Sequence, residues 1–132
     1  MTPQRELTGK RPGNYSAWHR DKLPKWCYHT DGDWFEQRLV NGKLVAVAYI
    51  ETIEIPPLFI NNAQREYKLW PSKKALIADI YNRMGIPCFI VRHTADCTNF
   101  CVSRATSTGD EIEALVMNEA NYIEWIQKLE TT

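Results

Sequence analysis

Asp33 and Glu51 are the residues of this chain whose chemistry and spacing first call for an explanation. Between them stands Asn41-Gly42, a dipeptide in which both residues tolerate positive φ and which marks a tight hairpin turn. Residues 33–40 (DWFEQRLV) read as the first strand. Residues 44–50 (LVAVAYI) form a nearly continuous apolar run, as a centrally buried strand does, and Glu51 closes it. A hairpin brings its open ends together, so the two carboxylates should lie close. Side chains alternate between the faces of a strand, so register decides whether they share one. A three-residue loop, Val40-Asn41-Gly42, puts both on the same face. A strict two-residue Asn41-Gly42 turn puts them on opposite faces. Where they converge, two hard oxygen donors suit Mg²⁺ or Mn²⁺, which takes one or two carboxylates together with water and phosphate oxygens. Such an ion activates water and polarises a scissile phosphate. Acids at strand ends are also ordinary solvated residues, and spacing alone does not separate the two readings.

Groups that could hold the substrate's phosphates are few. His19 and Arg20, with Lys22 and Lys25, make a small basic cluster near the N-terminus. Lys73 and Lys74 open a helix, where their charges oppose the helix dipole but suit a phosphate bound by the free N–H groups. Both sets are also compatible with a plain solvated surface. Trp18, Trp26, Trp34 and Trp70 offer faces for unpaired bases, although most fit a core equally well. Cys27, His29, Cys97 and Cys101 are potential zinc donors at a spacing foreign to ribbons and fingers, which favours half-buried thiols. Formal net charge is zero, with 16 basic and 16 acidic residues. This removes the general argument for nucleic-acid binding, a strongly basic domain, and leaves room for a local basic face.

The elements that must position these residues read as one domain over 1–132, with 1–14 as an irregular arm. A short helix or turn over Tyr15 to Arg20 precedes the hairpin. Pro56-Pro57 ends the second strand. Pro71-Ser72 introduces a helix from Lys73 to Met84 with Leu76, Ile77, Ile80, Tyr81 and Met84 as its apolar stripe, and Gly85 stops it. Ile86 to Val91 reads as a buried strand and Phe100 to Arg104 as its antiparallel partner. Ser107 and Asp110, at capping-box spacing, predict a last helix over roughly 110–130, lined by Ile112, Leu115, Val116, Ile123, Ile126 and Leu129. Its glutamates (Glu111, Glu113, Glu119, Glu124, Glu130) make a solvated face or a dock for a basic partner. The order gives a mixed α/β fold, a central sheet flanked by helices, with a strand–helix–strand step that implies parallel neighbours. No apolar run approaches the ~18 residues of a membrane span. Met1 to Lys10 lacks the apolar core of a signal peptide, so a cytoplasmic protein with free thiols is expected.

The order Asp33-Trp34-Phe35-Glu36, Asn41-Gly42, Val45 to Glu51, then a helix from Lys73 leading into residues 85–91 (GIPCFIV), resembles the PD-(D/E)XK nucleases. In that family an acid opens one strand and Glu-x-Lys ends the next. The lead-in over residues 15–20 (YSAWHR) is similar to one in some family members, and the likeness covers roughly residues 15–104. It implies a restriction-endonuclease-like core and a metal-dependent enzyme that cleaves nucleic acid, DNA by preference. Asp33 and Glu51 would be the catalytic and metal-binding pair, with Glu36 or Asp31 assisting through water. The motif lysine falls at position 53, where this chain has Ile53. The resemblance assigns that lysine to orienting the attacking water and stabilising charge on phosphorus. Two readings follow. A group from elsewhere replaces it, with Lys68, Lys73, Lys74 or Gln64 as candidates. Alternatively, catalysis is lost and the domain persists as a module binding nucleic acid or protein. A homodimer or protein partner is compatible with either.

Overall fold

The structure is a computed structural model that describes residues 13–24, 27–29 and 35–129. Its elements are α1 (Gly13–Lys22), β1 (Cys27–His29), β2 (Phe35–Val40), β3 (Lys43–Glu54), a 3-10 helix (Pro57–Asn62), α2 (Ala63–Glu66), α3 (Pro71–Met84), β4 (Cys88–His93), β5 (Asn99–Ala105), β6 (Glu111–Asn118) and α4 (Glu119–Gln127). The six strands form one sheet in chain order. Neighbours are antiparallel except β3 and β4, which run parallel and are joined by the α3 crossover. The mixed α/β class expected from the order of elements is the class found. Among the described residues no helix is long and apolar enough to cross a membrane.

Alternation sorts the sheet into two faces. Tyr49, Glu51 and Ile53 of β3 share one face with their β4 partners Cys88, Ile90 and Arg92. Helix α3 covers it, with the Cys88 thiol 3.9 Å from the Ile77 carbonyl oxygen. Ala48, Ile50, Val91, His93 and Phe100 belong to the other face, which α1 and α4 cover. There Tyr122 stacks on Phe100 at 4.0 Å, Trp18 tilts against both, and Trp125 meets Phe89 edge-on at 4.9 Å. Tyr15 and Tyr122 satisfy each other's hydroxyls inside this cluster at 2.7 Å. Buried Tyr hydroxyls need such partners.

Local chemistry accounts for the ends of α3. Pro71 sits in the first turn, where its missing N–H costs nothing. Gly85 ends the helix at φ 69° and its N–H donates to the Tyr81 carbonyl at 3.1 Å. Of the expected stripe only Ile77 is fully buried; Leu76 and Met84 face solvent.

The expected helix over 110–130 is corrected: its first half is strand β6, and only Glu119–Gln127 is helical. Residues 106–110 close a hairpin instead of capping a helix. The Thr106 N–H donates to the Asp110 carbonyl at 2.8 Å and the Gly109 N–H to the Thr106 carbonyl at 2.9 Å. Gly109 takes φ 86°, and a Cβ there would lie 2.5 Å from the Lys74 carbonyl oxygen, so the hairpin rests directly on α3. The cap of α4 is Asn118, whose side-chain oxygen accepts from the Asn121 N–H at 2.8 Å. Ile112, Leu115 and Val116 lie exposed on β6 instead of lining a helix.

His93, at the end of β4, is buried, with Nδ1 2.9 Å from the Thr94 carbonyl oxygen. Burial holds its pKa below the ordinary 6.5, outweighing that hydrogen bond and the charge of Glu54. The unfolded chain takes up this proton as the pH falls through 6.5, and the folded chain does so only at its lower value. Stability contributed by the neutral ring is therefore complete above pH 6.5 and drains away below it. Urea midpoints measured from pH 7.5 down to 5 should fall, and His93→Asn should flatten that slope. A parental slope unchanged in the variant would assign the acid sensitivity to other groups.

Candidate functional site

The β2–β3 hairpin turns through two residues, Asn41 at φ 50° and Gly42 at φ 81°, with Val40 opposite Lys43. That is the turn expected to separate the two carboxylates. A second feature intervenes: a bulge between Glu36 and Gln37 in the pairing leaves Val47 without an opposite residue, and the register shifts by one. Beyond it Glu36 faces Ala48 and Phe35 faces Tyr49, their rings edge-on at 5.4 Å. A one-residue shift moves every later side chain to the other face, which reverses the effect of the turn on the open end of the hairpin. Asp33 itself lies outside the described residues, as do Asp31, Lys25, Trp26 and Trp34.

Glu51 is not at the end of its strand as expected but within it, because β3 runs on to Glu54. Its side chain is 12% exposed. The Tyr49 hydroxyl, two residues back on the same face, donates to Oε1 at 2.9 Å. Lys73, in the first turn of α3, brings Nζ to 3.4 Å from the same oxygen. The crossover helix thus lays a half-exposed ammonium over the carboxylate. Ile53, the next residue on that face, lines the same pocket of about 340 Å³ together with Tyr67, Lys68, Leu69, Trp70 and Ser72. Of the candidates to replace a lysine at position 53, Lys73 is the one in contact with Glu51. Lys74 turns away to pair with Asp110, whose carboxyl it and Thr108 hold below the usual range. Gln64 donates to the Glu111 carbonyl at 3.4 Å.

The described members of the N-terminal basic cluster, His19, Arg20 and Lys22 on α1, do not join this site. His19 is buried, its Nε2 3.0 and 3.1 Å from the two oxygens of Glu36. This corrects the expectation of a phosphate-binding imidazole: a neighbour 17 residues away in sequence claims the ring. Arg20 is exposed on the same helix, over the sheet face opposite Glu51. Glu36 is corrected as well. Fully buried on that opposite face and held by His19 and by Arg38 at 2.8 Å, it is not placed to assist an ion at Glu51. Trp18 is core, with its indole N–H donating to Glu119 at 2.7 Å.

Cys97 and Cys101 do not converge; they belong to separate buried clusters. Burial, with Asp96 and other nearby acids, pushes the Cys97 thiol up to about 12, so it rests as a neutral thiol.

Two features escaped the reading of the sequence. A second cleft, about 750 Å³, lies on the α3 side and shares Lys68 and Leu69 with the Glu51 pocket. Its wall is braced by fully buried Arg92, which donates to both oxygens of Glu111 at 2.5 and 2.9 Å and from Nε to the Tyr67 carbonyl at 2.9 Å. Ser103 adds a bond to Glu111 at 2.5 Å. Arginine directly after the apolar run of residues 88–91 is a signal that could have been used, because a buried guanidinium requires a carboxylate partner.

No protein-family model matches the chain, and no curated protein or solved structure is significantly similar to it.

Proposed function

We propose that this chain is a metal-dependent nucleic-acid phosphodiesterase of the PD-(D/E)XK type, in which Lys73 takes the place of the lysine absent at position 53. The observation that carries the reading is the Lys73 ammonium 3.4 Å from Glu51, on the sheet face where the motif lysine would project. The described order helix, three antiparallel strands, crossover helix and parallel strand supports it too, since it gives the acid-bearing hairpin and crossover that the resemblance implies.

Glu51 fits a hard divalent ion: it is a mostly buried carboxylate, open to the pocket and fixed by a hydroxyl, and Mg²⁺ needs only one or two such ligands beside water and phosphate. Among the described residues no cluster of three ligating side chains occurs; Asp33, the acid that the resemblance pairs with Glu51, is the second ligand in this proposal. Mg²⁺ or Mn²⁺ bound there supplies an activated water and neutralises phosphate charge. The chain's own part is positional and electrostatic. Tyr49 fixes the rotamer of Glu51. The Lys73 ammonium would face the phosphate oxygens as negative charge builds on them during attack of water on phosphorus and departure of the sugar oxygen. Substrate is nucleic acid, DNA by preference, and the setting is the cytoplasm, where the free thiols Cys88, Cys97 and Cys101 stay reduced.

A second reading, a module that binds without cutting, draws on Ile53, which packs against both buried clusters and leaves the motif position apolar. Calorimetry with Mn²⁺ and cleavage of labelled DNA decide between them. The nuclease reading expects metal binding that Asp33→Ala and Glu51→Gln each abolish, and Mg²⁺-dependent cleavage lost with it. Metal-independent DNA binding without cleavage favours the module. A parent that neither binds Mn²⁺ nor acts on DNA sinks both.

A further inference from the structure

The pocket that holds Glu51 and Lys73 also holds Trp70, and Trp70 is 78% exposed. Leaving so large an apolar ring in water forgoes burial that a core Trp would gain. The ring makes no aromatic contact among the described residues. Its backbone is nonetheless fixed: Trp70 is the N-cap of α3, Pro71 follows, and its carbonyl accepts from the Lys74 N–H at 3.0 Å. The result is a flat apolar plate on a rigid mount, in the same pocket as the Lys73 ammonium.

From that pocket Lys68 and Leu69 lead into the larger cleft, where Asn61, Asn62, Gln64 and Arg65 line the far side. Lys68 is exposed and makes no ion pair or hydrogen bond among the described residues. The acids of this cleft are already neutralised, Asp110 by Lys74 and Glu111 by Arg92. Arg65 pairs with Glu66 at 3.4 Å and Gln64 with the Glu111 carbonyl, so what the groove leaves unused is the Lys68 ammonium and the amides of Asn61 and Asn62, beside an aromatic plate. A cleft of about 750 Å³ is on the scale of small-molecule sites, ~300–1,000 Å³. A groove of that volume holds a few nucleotides, and a base can lay its face on Trp70 only when it is not already stacked and paired inside a duplex. The formal net charge of zero supplies no general attraction to duplex backbones.

We infer that the substrate is an unpaired strand, with a base stacked on Trp70, the adjoining phosphates at Lys68 and Lys73, and the next nucleotides in the amide-lined cleft. Stacking accepts any base, so recognition here is of strand state more than of sequence. The claim that this strand is cut rests on the nuclease reading; the claim that it is bound does not.

Fluorescence anisotropy of the full chain with labelled twelve-nucleotide oligomers, unpaired and as duplex, in Ca²⁺ to suppress turnover, tests it. The unpaired oligomer should bind at least tenfold more tightly than the duplex. Trp70→Ala should weaken it by about 5- to 100-fold, the range seen for loss of one stacking partner, and Trp70→Phe should keep most of the affinity. Deoxy and ribo oligomers in parallel identify the sugar. Because the ring is on the surface, the alanine variant should keep its circular dichroism. Preference for duplex, or equal unpaired-strand affinity in parent and Trp70→Ala, overturns the inference; Mg²⁺-dependent cutting of duplex would then leave the nuclease reading standing. Trp70-dependent binding of unpaired strand with no cleavage in any metal upholds the inference and overturns the nuclease reading. Binding of neither form overturns the inference.

Discussion

Lys73→Met is expected to lower Mg²⁺-dependent cleavage by ~10²–10³-fold, the usual cost of losing one group aimed at developing charge. Methionine keeps the length and apolar stem of the side chain, so α3 and the pocket should persist. The ammonium lies 3.4 Å from Glu51 Oε1 and would repel a cation held by that carboxylate, so removing it should leave Mn²⁺ affinity equal or tighter. That divides the roles: Glu51→Gln should lose both binding and cleavage, Lys73→Met cleavage alone. The reciprocal change is Ile53→Lys in the Lys73→Met background. Position 53 lies on the face of Glu51 and lines the same pocket, so a lysine there can reach the place Lys73 left. Recovery of a tenth or more of the lost rate would identify the two positions as alternative origins for one charge. Full activity in Lys73→Met would remove Lys73 from the chemistry. Cleavage lost but not regained with lysine at 53 would show that the orientation of the amine from α3 matters, not only its charge.

Much of this arrangement is legible in the residues. Asn41-Gly42 marks the hairpin because few other pairs accept two positive φ values, and both are positive here. Pro71 and Gly85 bound α3 because each is suited to one end of a helix. Other features depend on energies no short window contains. The bulge at Val47 has no residue signature, and together with the two-residue turn it decides how the open end of the hairpin is phased. Residues 111–118 carry apolar side chains at a spacing that also suits a helix; pairing with β5 and the hairpin seated on α3 through Gly109 prevail over it. Lys73 is recognisable as a candidate, but its contact with Glu51 is made by the crossover, not by anything within either segment. His19 misleads for a related reason. Arg20 and Lys22 suggest an exposed basic face, whereas the residue that defines its environment is Glu36.

Glu36→Gln should be among the most damaging single changes in the chain, for stability rather than for chemistry. The carboxylate is fully buried and is the anionic partner of His19 and of Arg38, whose Nη2 also donates to the Ile126 carbonyl near the end of α4 at 2.5 Å. A guanidinium at a helix C-terminus satisfies an orphan carbonyl and suits the dipole. Glu36 therefore ties together β2, α1 and, through Arg38, α4. Burying charged groups is costly, and such a network gives little net stability against a well-packed apolar substitute. Removing one member is different, because the others remain buried without compensation, at ~3–5 kcal/mol. Against a total of ~5–15 kcal/mol for a domain, that is a fifth or more of the stability. The thermal midpoint should fall by ~10–20 °C. Adding Arg38→Met to Glu36→Gln should recover part of the loss, since the stranded cation goes with its anion; the double-mutant cycle reads that coupling directly. Mn²⁺ affinity measured well below the lowered midpoint should be unchanged, because Glu36 and Glu51 lie on opposite faces of the sheet. A stable Glu36→Gln protein that had lost metal would instead place Glu36 in the ion's coordination sphere and overturn the separation of the two acids.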